Sequence, residues 1–303
     1  MALKRKYHGV VVPMVTPFTD SGDIDLVAAE KIVEHIAQSG ACPFALGTTG
    51  ETVSIRASAK TEFVETVVKK TACRTLTYAG IIDNCMATSV EMAEQFFEAG
   101  VDMVVACVPS YYPLTGEDIM NYFENLAKHI PGPLMLYNIP ITTGVSIPLE
   151  VFDKLSHLPK IIGLKDTVRD IDRIKQAAEL WKDREDFSYL CGSTPLSMTA
   201  LAAGADGIVP SVGNIAPELF MNLYNSVRAG DMEQAKQCQN RSDAIGEIFQ
   251  KNKGLSESLP MLKGIMHVMG FCGPKVLPPL RDLDNDQIEA LRKAVNELSL
   301  LKE

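Results

Sequence analysis

The chain has 303 residues, 46% of them apolar and 22% charged, which is the ordinary mix of a globular protein and excludes disordered and fibrous classes. Its net charge of −9 argues against nucleic acid as a partner, because broad contact with phosphates requires a basic surface. No apolar run approaches the roughly 20 residues that cross a bilayer, so no membrane partner is predicted.

The start of the chain, residues 1–7, is basic but leads into a strand-like run rather than into the apolar segment of a signal peptide. The seven cysteines and five histidines are scattered, and none has the spacing of a metal site or a redox pair. These features predict a cytoplasmic protein with reduced thiols and no bound metal.

Short apolar runs alternate along the chain with segments of helical period. Residues 25–38, 89–98 and 117–129 repeat apolar side chains at spacings of three and four, as one face of a helix does. The apolar runs are predicted as strands. They cover residues 9–16, 43–47, 75–81, 103–108, 133–138, 161–165, 187–192 and 207–211.

Strands that alternate with helices are parallel, because each crossover returns the chain to the same end of the sheet. Eight such units predict an α/β fold, a closed (β/α)8 TIM barrel over residues 1–228. A doubly wound sheet is the alternative, but no Gly-x-Gly-x-x-Gly follows the first strand. Residues 229–303 are predicted as a C-terminal helical extension packed on the barrel. Its helices are expected at residues 231–250, 259–269 and 284–300.

The reacting groups of such barrels lie at the carboxyl ends of the strands. The second strand ends in Gly47-Thr48-Thr49-Gly50-Glu51, where two glycines flank two hydroxyl side chains. Backbone N–H groups and threonine oxygens arranged in this way suit a small anion such as a carboxylate. The alternative interpretation is an ordinary turn whose glycines need a positive φ.

Tyrosines follow two further strands. The fourth strand leads into Pro109-Ser110-Tyr111-Tyr112-Pro113, and the fifth ends in Tyr137-Asn138-Ile139-Pro140. Each tyrosine taken singly fits a core aromatic with a solvated hydroxyl. Their shared location at strand ends makes them candidates for a common site.

The sixth strand places a lysine at the end of the apolar segment Ile161-Ile162-Gly163-Leu164-Lys165. Alternation predicts that Ile161, Gly163 and Lys165 share one face, with space left by Gly163 beneath the lysine. Poor solvation inside the barrel would lower the pKa of Lys165. A neutral amine attacks a ketone to form a Schiff base, whose protonated nitrogen accepts electrons from a breaking carbon–carbon bond. The alternative is an ion pair with Asp166, although that side chain points to the opposite face.

These segments, together with Gly204-Ala205-Asp206-Gly207, have an order and spacing that resembles the dihydrodipicolinate synthase / N-acetylneuraminate lyase family over nearly the full chain. The resemblance implies a pyruvate-handling, Schiff-base enzyme on a (β/α)8 barrel with a C-terminal helical extension. It also implies a homotetramer built from two tight dimers. A keto acid and an aldehyde are the small-molecule partners. No cofactor is implied, because the protonated imine is itself the electron sink.

By the same resemblance, Lys165 is the Schiff-base lysine and Tyr137 is the general acid/base. Thr48 and Thr49 hold the pyruvate carboxylate, and Thr49 also relays protons towards Tyr137. Tyr111 completes that relay, in some family members from a neighbouring subunit.

The half of the site that holds the aldehyde departs from two branches of the family. Synthases that use aspartate semialdehyde usually carry an arginine where this chain has Thr142, which offers no bidentate cation to a second carboxylate. Sialic acid lyases usually carry acidic residues after strand seven, where this chain reads Gly192-Ser193-Thr194-Pro195. A pocket for a neutral, hydroxyl-bearing aldehyde is expected instead. Thr142, Thr143, Thr167 and Ser193 are expected to line this aldehyde pocket, and Gly192 is also assigned to substrate binding. By the resemblance, the backbone of Val209 lines the pyruvate pocket.

The sequence therefore predicts a class I aldolase that reversibly cleaves a 2-keto acid, such as a 2-keto-3-deoxy sugar acid, to pyruvate and an aldehyde. The alternative enzyme is 4-hydroxy-tetrahydrodipicolinate synthase, which shares the pyruvate half. Three further hypotheses stay open: a dehydratase or deaminase using the same lysine, a silent barrel that binds a keto acid, and a phosphate-binding barrel using glycines near Gly192 and Gly213.

Overall fold

The computed structural model describes residues 7–300, so the basic start at residues 1–6 and the last three residues of the predicted extension lie outside the described residues. Eight parallel strands form a closed barrel, in which each strand pairs with its chain neighbours and the last pairs with the first. The strands are β1 Gly9–Pro13, β2 Cys42–Ala45, β3 Tyr78–Gly80, β4 Met103–Ala106, β5 Leu134–Asn138, β6 Ile161–Asp166, β7 Ser188–Cys191 and β8 Gly207–Ile208. The predicted (β/α)8 barrel is confirmed, and the doubly wound alternative is wrong.

Helices follow the strands and cover the outside of the barrel. Those of the barrel are α1 Leu26–Gln38, α2 Ala57–Thr71, α3 Met86–Glu98, α4 Gly116–His129, α5 Pro140–Thr143, α6 Leu149–Leu155, α7 Ile171–Leu180, α8 Ser197–Ala202 and α9 Pro217–Ala229. Side-chain caps fix several starts. The Asp25 carboxylate accepts a hydrogen bond from the Ala28 N–H at 2.9 Å, and Thr115 forms a reciprocal capping box with Asp118.

The C-terminal extension forms α10 Met232–Gln250, α11 Leu255–Val268 and α12 Asn285–Glu297. Helix α10 packs on α8 and α9, and α12 packs on α11. The helix predicted at residues 259–269 begins four residues earlier, where the Gly254 N–H donates to the Glu257 carboxylate at 3.3 Å. The division of the chain at residue 228 stays a prediction. Within residues 7–300, none of these helices has the length and apolarity needed to span a membrane.

The apolar residues form two layers separated by the strands. One layer fills the barrel interior and includes Val11, Phe44, Tyr78, Val105 and Met135. The other lies between the strands and the surrounding helices. Because successive side chains of a strand point to opposite faces, side chains along the strands alternate between the two layers. The interior layer ends in a polar mouth at the carboxyl ends of the strands.

Strand β6 carries one extra residue, and this corrects the predicted alternation. Leu134 pairs with Ile161, but the next residue, Met135, pairs with Gly163, so Ile162 is inserted. Such a bulge shifts the side-chain phase by one position. Ile161 therefore packs in the outer layer rather than on the face of Lys165. The space that Gly163 leaves beneath the lysine is filled by the side chain of Met135, because a Cβ on Gly163 would lie 2.9 Å from Met135 Cε.

Candidate active site

Lys165 lies at the carboxyl end of β6 with its side chain inside the barrel mouth. The residue is 3% exposed, and its Nζ atom lies 3.8 Å from the centre of the Tyr137 ring and 4.9 Å from that of Phe44. Tyr137 is its paired neighbour on β5, so the barrel register itself brings the two side chains together. Two ring faces thus replace water around the amine.

Burial lowers the pKa of the Lys165 amine to about 7, because the charged form loses its hydration. The only opposing influence is the nearby Cys107, a weaker effect. Burial also raises the pKa of the Cys107 thiol to about 11, so that side chain is uncharged near neutral pH. A large fraction of Lys165 is therefore the neutral, nucleophilic amine under ordinary conditions.

Asp166 does not pair with Lys165, which excludes that alternative. Its carboxylate points to the other side of β6, where it accepts hydrogen bonds from Arg173 Nε at 2.7 Å and from Asn138 Nδ2 at 2.9 Å. Arg173 also donates to the Ile147 carbonyl at 2.8 Å. The acidic neighbour in sequence is thus held by its own cation, and it does not stabilise the charged form of the Lys165 amine.

Tyr137 and Thr48 form the next part of the site. The Thr48 hydroxyl lies 3.4 Å from the Tyr137 hydroxyl, a distance at which either group donates. Burial raises the pKa of the Tyr137 phenol, and the hydrogen bond from Thr48 opposes that shift only in part. Tyr137 therefore keeps its proton at neutral pH and is present as the phenol rather than as the phenolate.

The segment Gly47-Thr48-Thr49-Gly50-Glu51 is both a tight turn and a wall of the site. The Gly50 N–H donates to the Gly47 carbonyl at 3.1 Å, which closes the turn. A Cβ on Gly50 would lie 3.0 Å from the Met14 carbonyl oxygen and from Thr16 Oγ1, so a side chain there would crowd the first strand's loop. The two interpretations of this motif are compatible, because the turn directs both threonines to the barrel mouth.

A cavity of about 470 Å³ opens above Lys165 at the carboxyl ends of the strands. Seven predicted site residues and the expected Ser193 line it. They are Lys165, Tyr137, Thr48, Thr49, Thr167, Gly192 and Val209. Thr167 donates its hydroxyl proton to the Asn138 carbonyl at 2.8 Å and keeps its oxygen free to accept. The buried Ser193 hydroxyl has no protein hydrogen-bond partner within residues 7–300.

Gly192 is required by the closeness of its neighbours rather than by its backbone angles. A Cβ at this position would lie 2.5 Å from Thr167 Cγ2 and 3.3 Å from Lys165 Cε. The Gly192 N–H donates to the Asp166 carbonyl at 2.7 Å, and the Val209 N–H donates to the Cys191 carbonyl at 2.8 Å, so both positions are fixed by the barrel ladder. The glycine keeps one side of the lysine stem clear.

The structure does not bring three expected residues into this cavity. Thr142 and Thr143 line a separate cavity of about 290 Å³ that shares Thr48 with the first. The reason is the short helix α5, within which both hydroxyls donate to the Ile139 carbonyl, at 3.2 and 3.1 Å. Tyr111 is 79% exposed and touches Tyr112 edge to face, with ring centres 5.2 Å apart. Within one chain, Tyr111 is not part of the site.

Several lining residues were not anticipated. Arg169 follows β6, while Gln250, Lys253, Leu255 and Ser258 come from the end of α10 and the start of α11. The helical periodicity of the extension predicted only that it packs on the barrel. Its polar residues belong to no recognisable motif, so the sequence did not indicate that they line the site. The extension therefore supplies part of the cavity wall. No group of three or more His, Cys, Asp or Glu between residues 7 and 300 is placed to hold a metal.

Comparison with known proteins identifies the family of the chain. The sequence profile of the dihydrodipicolinate synthetase family matches residues 6–298. The chain belongs to this family. A dihydrodipicolinate synthetase family relative from Halobacterium salinarum, named an uncharacterized DapA-like lyase, is 30% identical over 97% of this chain and 95% of its own length. Another, the 4-hydroxy-tetrahydrodipicolinate synthase of Hyphomonas neptunium, is 30% identical over 90% of this chain and 92% of its own.

Solved structures of the dihydrodipicolinate synthetase family share the architecture. The dihydrodipicolinate synthase of Bacteroides thetaiotaomicron superposes with a TM-score of 0.91 at 27% identity, covering 97% of this chain and 99% of that one. The protein is therefore an enzyme of this family, a lyase of the class I aldolase group, built on the family's barrel with its C-terminal helices.

Proposed function

We propose that the protein cleaves a 2-keto acid reversibly to pyruvate and an aldehyde through a Schiff base on Lys165, with no metal or organic cofactor. The observation that carries the proposal is the buried Lys165 amine, whose pKa is lowered to about 7, beside the Tyr137 phenol and the Thr48 hydroxyl. No carboxylate lies among the described residues that line its cavity. Such an amine is a nucleophile prepared for a carbonyl carbon.

The reaction balances with the groups of this chain. The Lys165 nitrogen attacks C2 of the keto acid, and loss of one water leaves the protonated imine. The C3–C4 bond then breaks, its electron pair forms the enamine, and the C4 hydroxyl loses its proton as the aldehyde forms. Protonation of C3 and addition of one water release pyruvate and restore the amine.

Tyr137 is the proton carrier in this scheme, and the threonines hold the carboxylate of the keto acid. The Tyr137 hydroxyl accepts the proton of the C4 hydroxyl as it hands its own to Thr48, 3.4 Å away. Thr49, 9% exposed in the same turn, extends the relay and binds the carboxylate with Thr48. Val209 is a further residue of the cavity lining, and we assign its backbone to the pyruvate pocket.

The hydroxyl groups of the outer cavity favour a hydroxyl-bearing aldehyde, as a 2-keto-3-deoxy sugar acid would release. Thr167 offers an acceptor oxygen, and Ser193 has a buried hydroxyl without a protein partner within residues 7–300. Ser146, Ser211 and Ser258 add further hydroxyls to the lining.

The second candidate is the 4-hydroxy-tetrahydrodipicolinate synthase reaction, which condenses pyruvate with aspartate semialdehyde. It is favoured by Arg169, which lines the cavity and is the guanidinium available to a second carboxylate. It is disfavoured by Thr142 at the place where such synthases usually carry arginine, and by the location of Thr142 in the neighbouring cavity.

The same proposal places the enzyme in the cytoplasm as a homotetramer of two tight dimers, in which Tyr111 completes the proton relay of a neighbouring subunit. The exposed aromatic pair Tyr111 and Tyr112, 79% and 69% exposed, supports an interface on that side of the barrel.

Trapping with borohydride tests the proposal. Pyruvate and borohydride should add one reduced adduct to the protein, peptide mapping should place it on Lys165, and Lys165→Arg should take none. Activity is then compared between 2-keto-3-deoxy sugar acids and the pair pyruvate plus aspartate semialdehyde. An adduct with turnover of the first class alone supports the main proposal. An adduct without any carbon–carbon cleavage or condensation would point to a dehydratase, a deaminase or a silent binding protein.

A further inference from the structure

Glu51, the last residue of the threonine turn, is tied to the C-terminal extension by a fully buried ion pair. Lys263 Nζ on α11 donates to Glu51 Oε1 across 212 residues of sequence, and the two side chains are 1% and 2% exposed. The second carboxylate oxygen, Oε2, accepts the Leu277 N–H at 2.9 Å. Both oxygens of Glu51 are thus held by residues beyond the barrel.

The backbone conformation of Glu51 links this ion pair to the shape of the threonine turn. Its φ of +56° lies in the left-handed region, which a residue with a side chain adopts only against a steric cost. In that conformation the Glu51 N–H donates to the Thr48 carbonyl at 3.1 Å. The side-chain anchor therefore maintains the backbone conformation that orients Thr48 and Thr49.

Within residues 7–300, Glu51 is the one carboxylate in a salt bridge with Lys263. Its Nζ lies 4.1 Å from the centre of the Phe18 ring, and burial lowers the pKa of the amine while Glu51 opposes that shift. A buried ion pair gains little net stability, because desolvation of two charges offsets their attraction. The Glu51–Lys263 pair therefore fits a role in holding the conformation of the threonine turn better than a role in the free energy of unfolding.

We propose that Glu51 and Lys263 are positioning residues through which the C-terminal extension sets the threonine turn for the carboxylate of pyruvate. Neither residue lines the cavity of Lys165, so both act through Thr48 and Thr49. The inference rests on the proposed function, because it takes the pyruvate carboxylate as the ligand of that turn.

The test measures borohydride trapping against pyruvate concentration in Glu51→Gln, Lys263→Met and the double variant. Each should raise the half-saturating pyruvate about tenfold or more, which corresponds to the loss of one good polar contact. The trapping rate at saturating pyruvate should stay within about threefold of wild type, since Lys165 and its surroundings are intact. If Lys263→Met does not fold, the double variant provides the test instead. It is expected to fold because it buries neither the Glu51 carboxylate nor the Lys263 amine without its partner.

Leu291→Ala is the matched control. Leu291 is 2% exposed on α12 and packs against Gly264 of α11, and its truncation destabilises the fold by opening a cavity while both oxygens of Glu51 keep their partners. It should lower the denaturation midpoint and leave the half-saturating pyruvate unchanged. A folded double variant with the wild-type half-saturation overturns the inference while leaving the proposed function intact. A wild-type protein that takes no adduct overturns the proposed function instead, and this inference with it.

Discussion

Lys165 and Tyr137 occupy paired positions on adjacent strands, and this pairing sets the amine 3.8 Å from the centre of the aromatic ring. The ring excludes water from the lysine while its hydroxyl reaches the Thr48 hydroxyl at 3.4 Å. In the proposed mechanism Tyr137 therefore has two effects: its ring lowers the basicity of the Lys165 amine, and its hydroxyl transfers the proton. The two effects are separable by mutation.

The pH dependence of adduct formation reports the state of Lys165. Because its folded pKa is about 7 rather than the usual 10.5, the neutral fraction rises through neutral pH and is nearly complete by about pH 9. The rate of trapping with pyruvate should rise with pH, reach half its plateau near pH 7, and then flatten. A rate that keeps rising towards pH 10.5 would show a solvated lysine and contradict the site described above.

Tyr137→Phe keeps the ring beside Lys165 and removes the hydroxyl. We expect cleavage of the keto acid to fall about 10²–10⁴-fold, the usual contribution of a general acid or base. Exchange of pyruvate methyl hydrogens with deuterated water, followed by NMR, measures the same loss on the pyruvate half. The pH midpoint of trapping should stay near 7, since the amine keeps its apolar surroundings. A variant with normal exchange would assign the proton transfer to another group.

Gly192→Ala tests the clearance beside the lysine stem. Its Cβ would lie 2.5 Å from Thr167 Cγ2, so Thr167 and Lys165 must shift, and a displacement of this size costs on the order of a hundredfold in rate. Gly116→Ala is the control, because its Cβ would meet only Val151 at 4.0 Å, far from the site. Trapping rates of the two purified variants make the comparison. Equal rates would mean that Thr167 and its neighbours move aside for the added methyl group without displacing Lys165.

Arg173→Met tests the ion pair behind the catalytic strand. Removing Arg173 leaves the buried carboxylate of Asp166 without its cation, and we expect a loss of about 3–5 kcal/mol in the free energy of unfolding. Lys251→Met breaks the exposed pair with Glu247 and should cost about 1 kcal/mol or less. Urea denaturation compares them. Similar small losses in both variants would show that the hydrogen bonds from the Asn138 amide and the Val168 N–H support the Asp166 carboxylate well enough without Arg173.

Tyr111 can be tested by mixing two inactive variants, Tyr111→Phe and Lys165→Ala. If Tyr111 serves a neighbouring subunit, a mixed dimer pairs an intact lysine with an intact tyrosine in one of its two sites, and activity returns on mixing. Such recovery is the expected result, because Tyr111 is 79% exposed and lies outside the cavity of its own chain. Absence of recovery after confirmed subunit exchange would mean that Tyr111 has no role in a partner's site.

Much of the site could be predicted because a closed parallel barrel brings all strand ends to one place. Lys165, Tyr137 and Thr48 are far apart in sequence, yet each follows an apolar run, and topology alone makes them neighbours. The lowered pKa of Lys165 could be expected from its position, since a lysine at the end of a buried strand loses hydration where the barrel closes. The roles of Tyr137 and Thr48 came from the resemblance to the family and stay predictions. The placement of Tyr111 in a partner's site stays a prediction.

Two features of the site were not predicted, because they depend on a local helix and on a long-range contact that hydrophobic periodicity and motif spacing do not reveal. Helix α5 turns Thr142 and Thr143 towards the adjacent cavity, although the resemblance to the family assigned them to the aldehyde pocket. The link between Glu51 and Lys263 joins residues 212 positions apart, with no periodic or compositional trace. Contacts of this kind depend on how the extension docks, which the hydrophobic pattern of α11 leaves undetermined.

The extra residue at Ile162 has a consequence for redesign of the barrel. Below it β6 pairs through Ile161, and above it through Gly163 and Lys165, so the two parts of the strand keep separate phases. Side chains at the amino-terminal floor can therefore be exchanged, or the inserted position removed, without rotating the lysine away from its chamber. The segment of β6 before Ile162 and the segment that carries Lys165 can therefore be redesigned separately.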